Sequence, residues 1–285
     1  MKVFITGADG ALGREMQEIL RKNSINYVAS DLNQLDIGDF KKTNEILLKH
    51  RPDVILHFAA VSNVDQCEEN QDLAHCVNAL GTMGLAIVAK KIGAKMLYVS
   101  TNFVFDGTGE QPYSEYSQPN PINIYGKTKF LGENYVREIC DRFYLVRTSC
   151  LFSQHSKTFI SKFLVSKDRP NSINAICDLF ASFTYTVDLA NAIFTLIRSE
   201  NYGVFHIVNK GFGSWLDFTL KAQEMLKFKT TINPTKLEEL NLSAPRPRFT
   251  PLESKNFEFL FHQSMRPWEQ ALADFSKTIL NEQNQ

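Results

Sequence analysis

Neither charge sign is in excess in this sequence, because 31 Lys and Arg residues balance 31 Asp and Glu residues. Blocks of five or more consecutive basic residues are missing as well. Proteins that bind nucleic acid or anionic membranes usually carry a basic patch, so the composition disfavours both classes. We therefore expect a small-molecule partner, no nucleic acid and no membrane.

Long apolar runs are also missing. The sequence contains no uninterrupted stretch of about 18 apolar residues, the length that a transmembrane helix needs. The apolar start of the chain gives way to glycines after a few residues, which is too short for the apolar region of a signal peptide. We therefore expect the protein to work in the cytoplasm.

Paired cysteines are the third absence. The chain has five cysteines, and none forms a C-x-x-C pair. Their positions are Cys67, Cys76, Cys140, Cys150 and Cys177. An odd number without pair spacing argues against a disulfide framework and against a zinc site, so most are expected to be buried thiols. We predict no metal site.

What the sequence does have is a hydrophobic content of 44% over 285 residues, enough to bury a full core. Short apolar segments rich in β-branched and aromatic residues alternate with segments of helical period. The predicted strands cover residues 3–6, 27–30, 53–58, 96–100 and 143–147. Strand-helix alternation implies parallel strands with crossover helices, so we predict an α/β, Rossmann-like, doubly wound parallel sheet.

The alternation weakens after about residue 150, where helical patterns mix with irregular stretches. We expect residues 1–150 to form the dinucleotide-binding domain, with later segments returning to it. Residues 151–285 are expected to form a smaller, mostly helical substrate lobe. In open α/β folds, ligands bind at the carboxyl ends of the strands, and we expect the lobe to cover that edge.

A glycine-rich turn follows the first predicted strand and opens the first predicted helix. Its glycines are Gly7, Gly10 and Gly13, with Asp9, Ala11 and Leu12 between them. Glycines allow a tight turn and a close approach of backbone N–H groups to a diphosphate, which the helix N-terminus also attracts. The turn predicts a dinucleotide site, although a bare structural turn is the alternative.

Asp31 ends the second predicted strand about 20 residues after the turn, where an acidic side chain can accept hydrogen bonds from ribose hydroxyls. No Arg or Lys follows before Lys41, so nothing nearby in sequence neutralises a 2′-phosphate. The cofactor is therefore NADH or NADPH, with NADH favoured. An ordinary solvated carboxylate is the alternative reading of Asp31 alone.

Tyr125 and Lys129 begin another predicted helix, and their spacing places them on one face. We expect the Lys129 ammonium to lower the pKa of Tyr125 and make it a general acid. The alternative is an exposed helix face. Ser100 and Thr101 close a predicted strand between the turn and this pair, and the combination indicates a nicotinamide-dependent oxidoreductase.

Segments spread over nearly the whole chain carry a family resemblance. They are FITGADGALGRE at 4–15, LDI at 35–37, PDVILHFAA at 52–60, VNALG at 77–81, STNFVFDG at 100–107, P-x-N-x-YGKTK at 121–129, VRTS at 146–149 and RPRFTPL at 246–252. The chain thereby resembles the extended short-chain dehydrogenase/reductases and, among them, the dTDP-4-dehydrorhamnose reductase family.

This resemblance implies a reductase of nucleotide-activated 4-keto-6-deoxy sugars that serves deoxysugar and polysaccharide biosynthesis. Tyr125 would protonate the 4-keto oxygen while nicotinamide delivers hydride. Thr101 would hydrogen-bond that oxygen, and Lys129 would also hold the nicotinamide ribose. Further cofactor positions would be Asp36, Ile37, Ala59, Ala60 and Ser100. A homodimer is a further expectation from the family.

The chain departs from the family on the substrate side. Asn102 and Phe103 stand where the family reads aspartate and tyrosine, and Cys150 stands where it reads tryptophan. Residues 178–184 replace its D-Q-x-G-S-P-T motif. These changes remove a charge, a hydroxyl and an indole, so we expect a reshaped sugar pocket that includes Asn102, Phe103 and Cys150.

Other functions stay open at this point. A protein of this fold could be an NAD-dependent nucleotide-sugar epimerase or dehydratase, or a non-catalytic regulatory subunit. The retained Thr101, Tyr125 and Lys129 favour the reductase. Arg246 is a candidate for contact with a substrate diphosphate, and solvation in a loop is its alternative.

Overall fold

The structure is a computed structural model that describes residues 1–156, 158–166 and 168–283. Its strands are β1 (Lys2–Thr6), β2 (Asn26–Ser30), β3 (Val54–His57), β4 (Lys95–Thr101), β5 (Phe143–Thr148), β6 (Leu151–Phe152), β7 (Ser172–Ile176), β8 (Phe180–Ala181), β9 (Thr184–Tyr185), β10 (Gly203–His206), β11 (Gly213–Ser214), β12 (Thr231–Thr235) and β13 (Phe249–Thr250). Its α-helices are α1 (Ala11–Lys22), α2 (Phe40–His50), α3 (Val64–Glu69), α4 (Gln71–Ala74), α5 (Thr82–Ile92), α6 (Ile124–Ile139), α7 (Phe159–Val165), α8 (Thr186–Ile197), α9 (Trp215–Leu226), α10 (Lys255–Phe261) and α11 (Trp268–Gln283).

Six strands form one parallel sheet in the order β10-β5-β4-β3-β1-β2. Apolar side chains of α1 and α8 pack on one face of this sheet, and those of α2, α5 and α6 pack on the other. Each central strand is buried on both faces because helices cover both, as parallel sheets require. The predicted doubly wound α/β fold is confirmed.

The edge strand β10 comes from far along the chain. It pairs in parallel with β5, with Phe205 opposite Val146 and His206 opposite Arg147. The chain therefore leaves the sheet after β5, builds β6 to β9 with α7 and α8, and then returns. Both β4 and β5 have a strand on each side, so the residues that follow them lie at the carboxyl edge in the interior of the sheet.

The remaining residues build a lobe around three short sheets, ordered β11-β8-β13, β12-β7 and β6-β9. The helices α7, α9 and α11 pack around an aromatic core. That core includes Phe152, Phe183, Phe218, Trp268 and Phe275. Aromatic side chains bury large apolar areas, so this cluster stabilises the lobe without long strands.

The helical segment that leads into β4 is a composite. It consists of α4, a π-helical turn at His75–Gly81, and α5. The run Gln71–Ile92 is long and apolar enough to cross a membrane by length and composition alone, but 56% of its apolar window is buried inside the fold. Its packing against α2 and α6 makes it a core helix of the sheet domain.

Candidate active site

The glycine-rich turn connects β1 to α1 under tight steric limits. Gly7 has a φ of +68°, and a Cβ there would lie 2.6 Å from the backbone nitrogen of Ala59. A Cβ on Gly13 would lie 2.4 Å from the Gly7 carbonyl oxygen. Gly10 is different, because its Cβ would meet only that same oxygen, at 3.2 Å. Packing thus requires Gly7 and Gly13, whereas a Cβ at Gly10 would make this one tight contact.

The N-terminus of α1 is available to an anion. Gly10 is its N-cap and offers no side chain, and the first turn of α1 contains no acidic residue. Within the described part of the chain, no side chain caps the first N–H groups of this helix. These groups and the positive end of the helix dipole fit the diphosphate of a dinucleotide.

Asp31 lies beside this turn, directly after β2. Its Oδ2 accepts the backbone N–H of Asp9 at 2.8 Å, and its Oδ1 accepts that of Leu32 at 2.7 Å. The carboxylate is half-buried, so its remaining lone pairs are open to a ligand. Its contact with the adenosine ribose stays a prediction.

The other predicted cofactor residues lie along the same edge of the sheet. Asp36 is exposed, and its Oδ1 accepts the backbone N–H of Gly38 at 2.9 Å. Ile37 is buried, whereas Ala59 and Ala60 are half-buried directly after β3. Ala59 lies against the glycine-rich turn, and together with the uncapped N-terminus of α1 and the Asp31 carboxylate it fits a dinucleotide.

The first turn of α6 is held from two sides. The Asn123 side chain accepts the N–H of Gly126 at 2.8 Å, and Glu68 Oε2 accepts the N–H of Ile124 at 3.0 Å. A Cβ on Gly126 would lie 2.1 Å from the Phe103 carbonyl oxygen, so the helix presses directly on the turn that follows β4. This contact brings Tyr125 next to Thr101.

Tyr125 is a protonated phenol in this environment. Burial raises its pKa to about 12, a hydrogen bond with Thr101 lowers it in part, and the neighbouring Cys67 raises it. The Phe103 ring stands edge-on to the Tyr125 ring, with 6.1 Å between centroids. Phe103 therefore adds an apolar wall to the phenol and offers no hydroxyl to a sugar.

Lys129 lies one helical turn further on and is 3% exposed. Its Nζ donates to the Val99 carbonyl oxygen at 2.7 Å and lies 4.1 Å from the centroid of the Tyr98 ring. Burial lowers the pKa of Lys129 to about 7, although Glu133 opposes this. The expected lowering of the Tyr125 pKa by Lys129 is therefore wrong for this structure, because burial controls both groups.

Thr101 and Asn102 are joined at the end of β4. Thr101 Oγ1 accepts the N–H of Phe103 at 3.1 Å and donates to Asn102 Oδ1 at 3.2 Å. Asn102 is 3% exposed, and its Nδ2 donates to Thr250 Oγ1 at 2.7 Å. Both ends of the Asn102 amide are thus bonded to the protein, and burial leaves little of the side chain open to a sugar.

Ser100 belongs to a buried ionic network that the sequence did not reveal. Its Oγ donates to Glu133 Oε1 at 2.6 Å. The same carboxylate accepts two bonds from Arg147, at 2.9 and 2.7 Å. The Ser100 hydroxyl is therefore engaged with this network, and its contact with the cofactor stays a prediction. The signal that could have found Glu133 is its spacing, one further turn along the Tyr125 and Lys129 face of α6.

Cys150 marks the start of the lobe. It has a φ of +36°, and its carbonyl oxygen accepts the N–H of Thr184 at 3.1 Å. The residue packs on the aromatic core of the lobe, and burial raises the pKa of its thiol to about 11. The bond to Thr184 joins two regions that depart from the family pattern, Cys150 and residues 178–184.

Arg246 forms an ion pair within the protein. The sequence had suggested contact with a substrate diphosphate or solvation in a loop. Its guanidinium donates to both carboxylate oxygens of Asp65, at 2.7 and 3.2 Å, and to the Ala244 carbonyl oxygen at 2.8 Å. The Asn123 side chain, which caps α6, donates to the Pro245 carbonyl oxygen at 2.9 Å. Residues 243–250 thus form a strap that ties the lobe to α3 and α6.

His57 and the acidic residues add no metal site. The His57 ring lies in the core, within 2.8 Å of Thr6 Oγ1 and 2.9 Å of Thr82 Oγ1. Burial holds its pKa well below the usual value, so the ring is neutral. Among the residues that the structure describes, no group of three or more His, Cys, Asp or Glu side chains is placed to hold a metal ion.

Comparison with known proteins gives several similar chains. The chain is 32% identical over 276 residues to the spore coat polysaccharide biosynthesis protein SpsK of Bacillus subtilis, covering 96% of both chains. It is 32% identical over 271 residues to a dTDP-4-keto-6-deoxy-D-glucose reductase of Streptomyces niveus, covering 94% of both. These matches run nearly end to end, so they include the turn, the α6 pair and the lobe.

A similar solved structure is the dTDP-4-dehydrorhamnose reductase of Bacillus anthracis in complex with NADP. It superposes with a TM-score of 0.92 at 34% identity and covers 96% of this chain and 98% of its own. The family model described as RmlD substrate binding domain matches residues 1–281. As the motifs at residues 7–13 and 121–129 predicted, the chain belongs to the RmlD substrate binding domain family of extended short-chain dehydrogenase/reductases.

Proposed function

We propose that the protein reduces the 4-keto group of a nucleotide-activated 6-deoxy sugar with NAD(P)H. The observation that carries the proposal is the convergence of the Thr101 and Tyr125 hydroxyls at the carboxyl end of β4, beside the cofactor turn. Two neighbouring hydroxyl groups can both donate to one carbonyl oxygen, because that oxygen accepts two hydrogen bonds. The reductases among the relatives support the same substrate class.

In this mechanism the bound NAD(P)H supplies the hydride for the carbonyl carbon. Tyr125 donates its proton to the oxygen as negative charge develops there. A pKa of about 12 keeps Tyr125 protonated at neutral pH, and an alkoxide is a stronger base than a phenolate, so the transfer is downhill. Thr101 donates a hydrogen bond to the same oxygen, and Lys129, one turn further along α6, would hold the nicotinamide ribose.

Coenzyme preference is the finer part of the proposal. Asp31 is held at the turn through Asp9, so its carboxylate occupies the region where a 2′-phosphate would approach. Like charges repel, and this favours NADH over NADPH. The relative from Bacillus anthracis is in complex with NADP, so the two coenzymes are best compared directly.

Two alternatives keep distinct signatures. A nucleotide-sugar epimerase or dehydratase of this fold regenerates its cofactor, so the purified protein would retain NAD through gel filtration. A regulatory subunit would co-purify with an enzyme whose activity is unchanged by Tyr125→Phe. The retained Thr101, Tyr125 and Lys129 favour the reductase. The cytoplasmic location and the homodimer stay predictions.

The decisive experiment follows the loss of reduced nicotinamide absorbance with a panel of nucleotide-linked 4-keto-6-deoxy sugars. We expect at least one sugar to be reduced and Tyr125→Phe to lower kcat by about 10² to 10⁴, with coenzyme binding intact. Tyr135→Phe on the same helix is the matched control and should keep full activity. Clear coenzyme binding without reduction of any sugar would overturn the proposal.

A further inference from the structure

A buried chain of three side chains links the reaction centre to the lobe. Thr101 Oγ1 donates to Asn102 Oδ1 at 3.2 Å, and Asn102 Nδ2 donates to Thr250 Oγ1 at 2.7 Å. Asn102 and Thr250 are 148 positions apart in sequence, and the three residues are 6%, 3% and 0% exposed. No solvent competes for these bonds, so each hydroxyl and amide takes the direction that its neighbours dictate.

The far end of this chain lies in the region that departs from the family. Thr250 belongs to β13, where it stands opposite Ala181 of β8. Just beyond β13, the N–H of Leu252 donates to Ser182 Oγ at 3.1 Å. Residues 178–184 thus set the position of Thr250, and Thr250 sets the position of Asn102. The two departures, Asn102 and residues 178–184, are one connected structure.

Asn102 determines where the Thr101 proton points. Thr101 has one hydroxyl proton, for which Asn102 Oδ1 and the Tyr125 phenol oxygen compete as acceptors. To serve a keto oxygen, the hydroxyl must turn away from Asn102. An amide can accept from Thr101 or, after turning over, donate to it, whereas a carboxylate can only accept. Asn102 can therefore release the Thr101 proton to the substrate by turning over, and the Thr250 hydroxyl can then donate to the amide oxygen that faces it.

We propose that Asn102 is a positioning residue that orients the Thr101 hydroxyl for the reaction, and that Thr250 holds Asn102 in register with the lobe. The inference rests on the proposed function in one respect, namely that Thr101 contacts the keto oxygen. It goes further because it gives Asn102 and Thr250 a role without sugar contact. Misorienting a hydroxyl at the reacting oxygen weakens the transition state more than the bound substrate.

The kinetic test uses Thr250→Val, which keeps the shape of the side chain and removes its hydroxyl. We expect kcat to fall about tenfold, as the loss of one oriented hydrogen bond predicts, with KM changed less than about twofold. Thr250→Ser restores the hydroxyl and should restore kcat. Thr230→Val is the matched control, because Thr230 is also buried in the lobe and its Oγ1 donates to the Pro170 carbonyl oxygen at 2.8 Å. It should keep kcat even where its melting temperature falls equally.

A second measurement does not depend on turnover. The side-chain amide of Asn102 and the γ-methyl of Thr101, which reports the Thr101 side-chain torsion, are followed by NMR in the full-length protein. We expect both signals to shift in Thr250→Val and not in Thr230→Val. If wild-type protein reduces no sugar, the proposed function fails and this readout alone judges the positioning role. An unchanged Thr101 signal, or equal kcat in Thr250→Val and wild type, overturns the inference.

Discussion

Asp31 and the backbone of Asp9 are joined by a 2.8 Å hydrogen bond, which attaches the end of β2 to the glycine-rich turn between β1 and α1. The bond places a carboxylate at the rim of the cofactor cradle, where it also accepts the N–H of Leu32. Two backbone groups thus hold this carboxylate in place, where the proposed coenzyme would meet it.

Asp31→Asn should raise the affinity for NADPH several-fold relative to NADH. The amide can still accept the Asp9 N–H, but it removes a negative charge, worth about 1 kcal/mol at about 4 Å in water, from the path of a 2′-phosphate. Dissociation constants of both coenzymes, measured by fluorescence titration, give the ratio. Asp53→Asn is the control, since Asp53 accepts the Lys2 N–H at 2.6 Å at the opposite edge of the sheet. An unchanged ratio in Asp31→Asn would refute the assigned preference.

Gly10→Ala and Gly13→Ala should fail in different ways. The Gly13 methyl would stand 2.4 Å from the Gly7 carbonyl oxygen, so we expect a loss of about 1–3 kcal/mol in the free energy of unfolding. The Gly10 methyl would project into the space for the diphosphate, so we expect weaker coenzyme binding with nearly native stability. Urea unfolding and coenzyme titration on both variants separate the two effects. Equal losses of stability would contradict this division.

The free energy of unfolding of the protein without coenzyme should rise with pH above about 7 because of Lys129. Burial lowers its folded pKa to about 7, whereas an unfolded lysine has the ordinary pKa of 10.5. Between these values the unfolded chain binds one more proton, so stability increases with pH by at most about 1.4 kcal/mol per unit and is lost as pH falls through the folded pKa.

Urea unfolding of wild type and Lys129→Met at pH 7, 8 and about 9 tests this expectation. The variant should lose the slope, and the exposed Lys127→Met should keep it. The test stops at about pH 9 because two thiols have an opposite effect above that pH. Burial raises the pKa of Cys67 and of Cys150 to about 11, so these thiols lose their protons more readily in the unfolded chain and lower the free energy of unfolding as pH rises further. A slope that persists in Lys129→Met would show that another group is responsible.

Arg246 and Asp65 should behave as a pair that holds the strap of residues 243–250. The guanidinium is 12% exposed and bonds both carboxylate oxygens, so Arg246→Gln or Asp65→Asn should each cost about 1–3 kcal/mol of stability. In the double variant the two losses should not add. A KM for the sugar that rises with Arg246→Gln but not with Asp65→Asn would instead indicate that Arg246 binds the substrate diphosphate.

Much of the fold could be predicted because its signals are local. The run at residues 3–6 and the spacing of Leu12 and Met16 define β1 and α1 without reference to distant residues. The sequence also predicts the glycine-rich turn, because a tight connection between a strand and a helix needs residues without a Cβ. The order of the strands in the sheet could not be predicted, because β10 pairs with β5 across a long stretch of sequence and the hydrophobic pattern gives no partner for a strand.

The site could be predicted only in part, and the missed contacts are those made over long sequence distances. Asn102 pairs with Thr250, Arg246 with Asp65, and Ser100 with Glu133. Local spacing places Glu133 on the Tyr125 face of α6, but it does not pair Glu133 with Ser100, Asn102 with Thr250 or Arg246 with Asp65. The Tyr125 pKa was misjudged for a related reason, since burial is a property of the whole fold.

The return of β10 to the edge of the main sheet also governs how the chain can acquire its structure during synthesis. When residue 150 has left the ribosome, β5 is still an unpaired edge, and Arg147 lacks the cover of His206, which stands opposite it in β10. Exposed strand edges invite wrong pairings, and the pair of Arg147 and Glu133 reaches its buried state only when β10 covers this edge. We expect the nascent chain to remain incompletely folded until residue 206 emerges, so the six-stranded sheet is completed late and the lobe elements after β10 fold onto it afterwards.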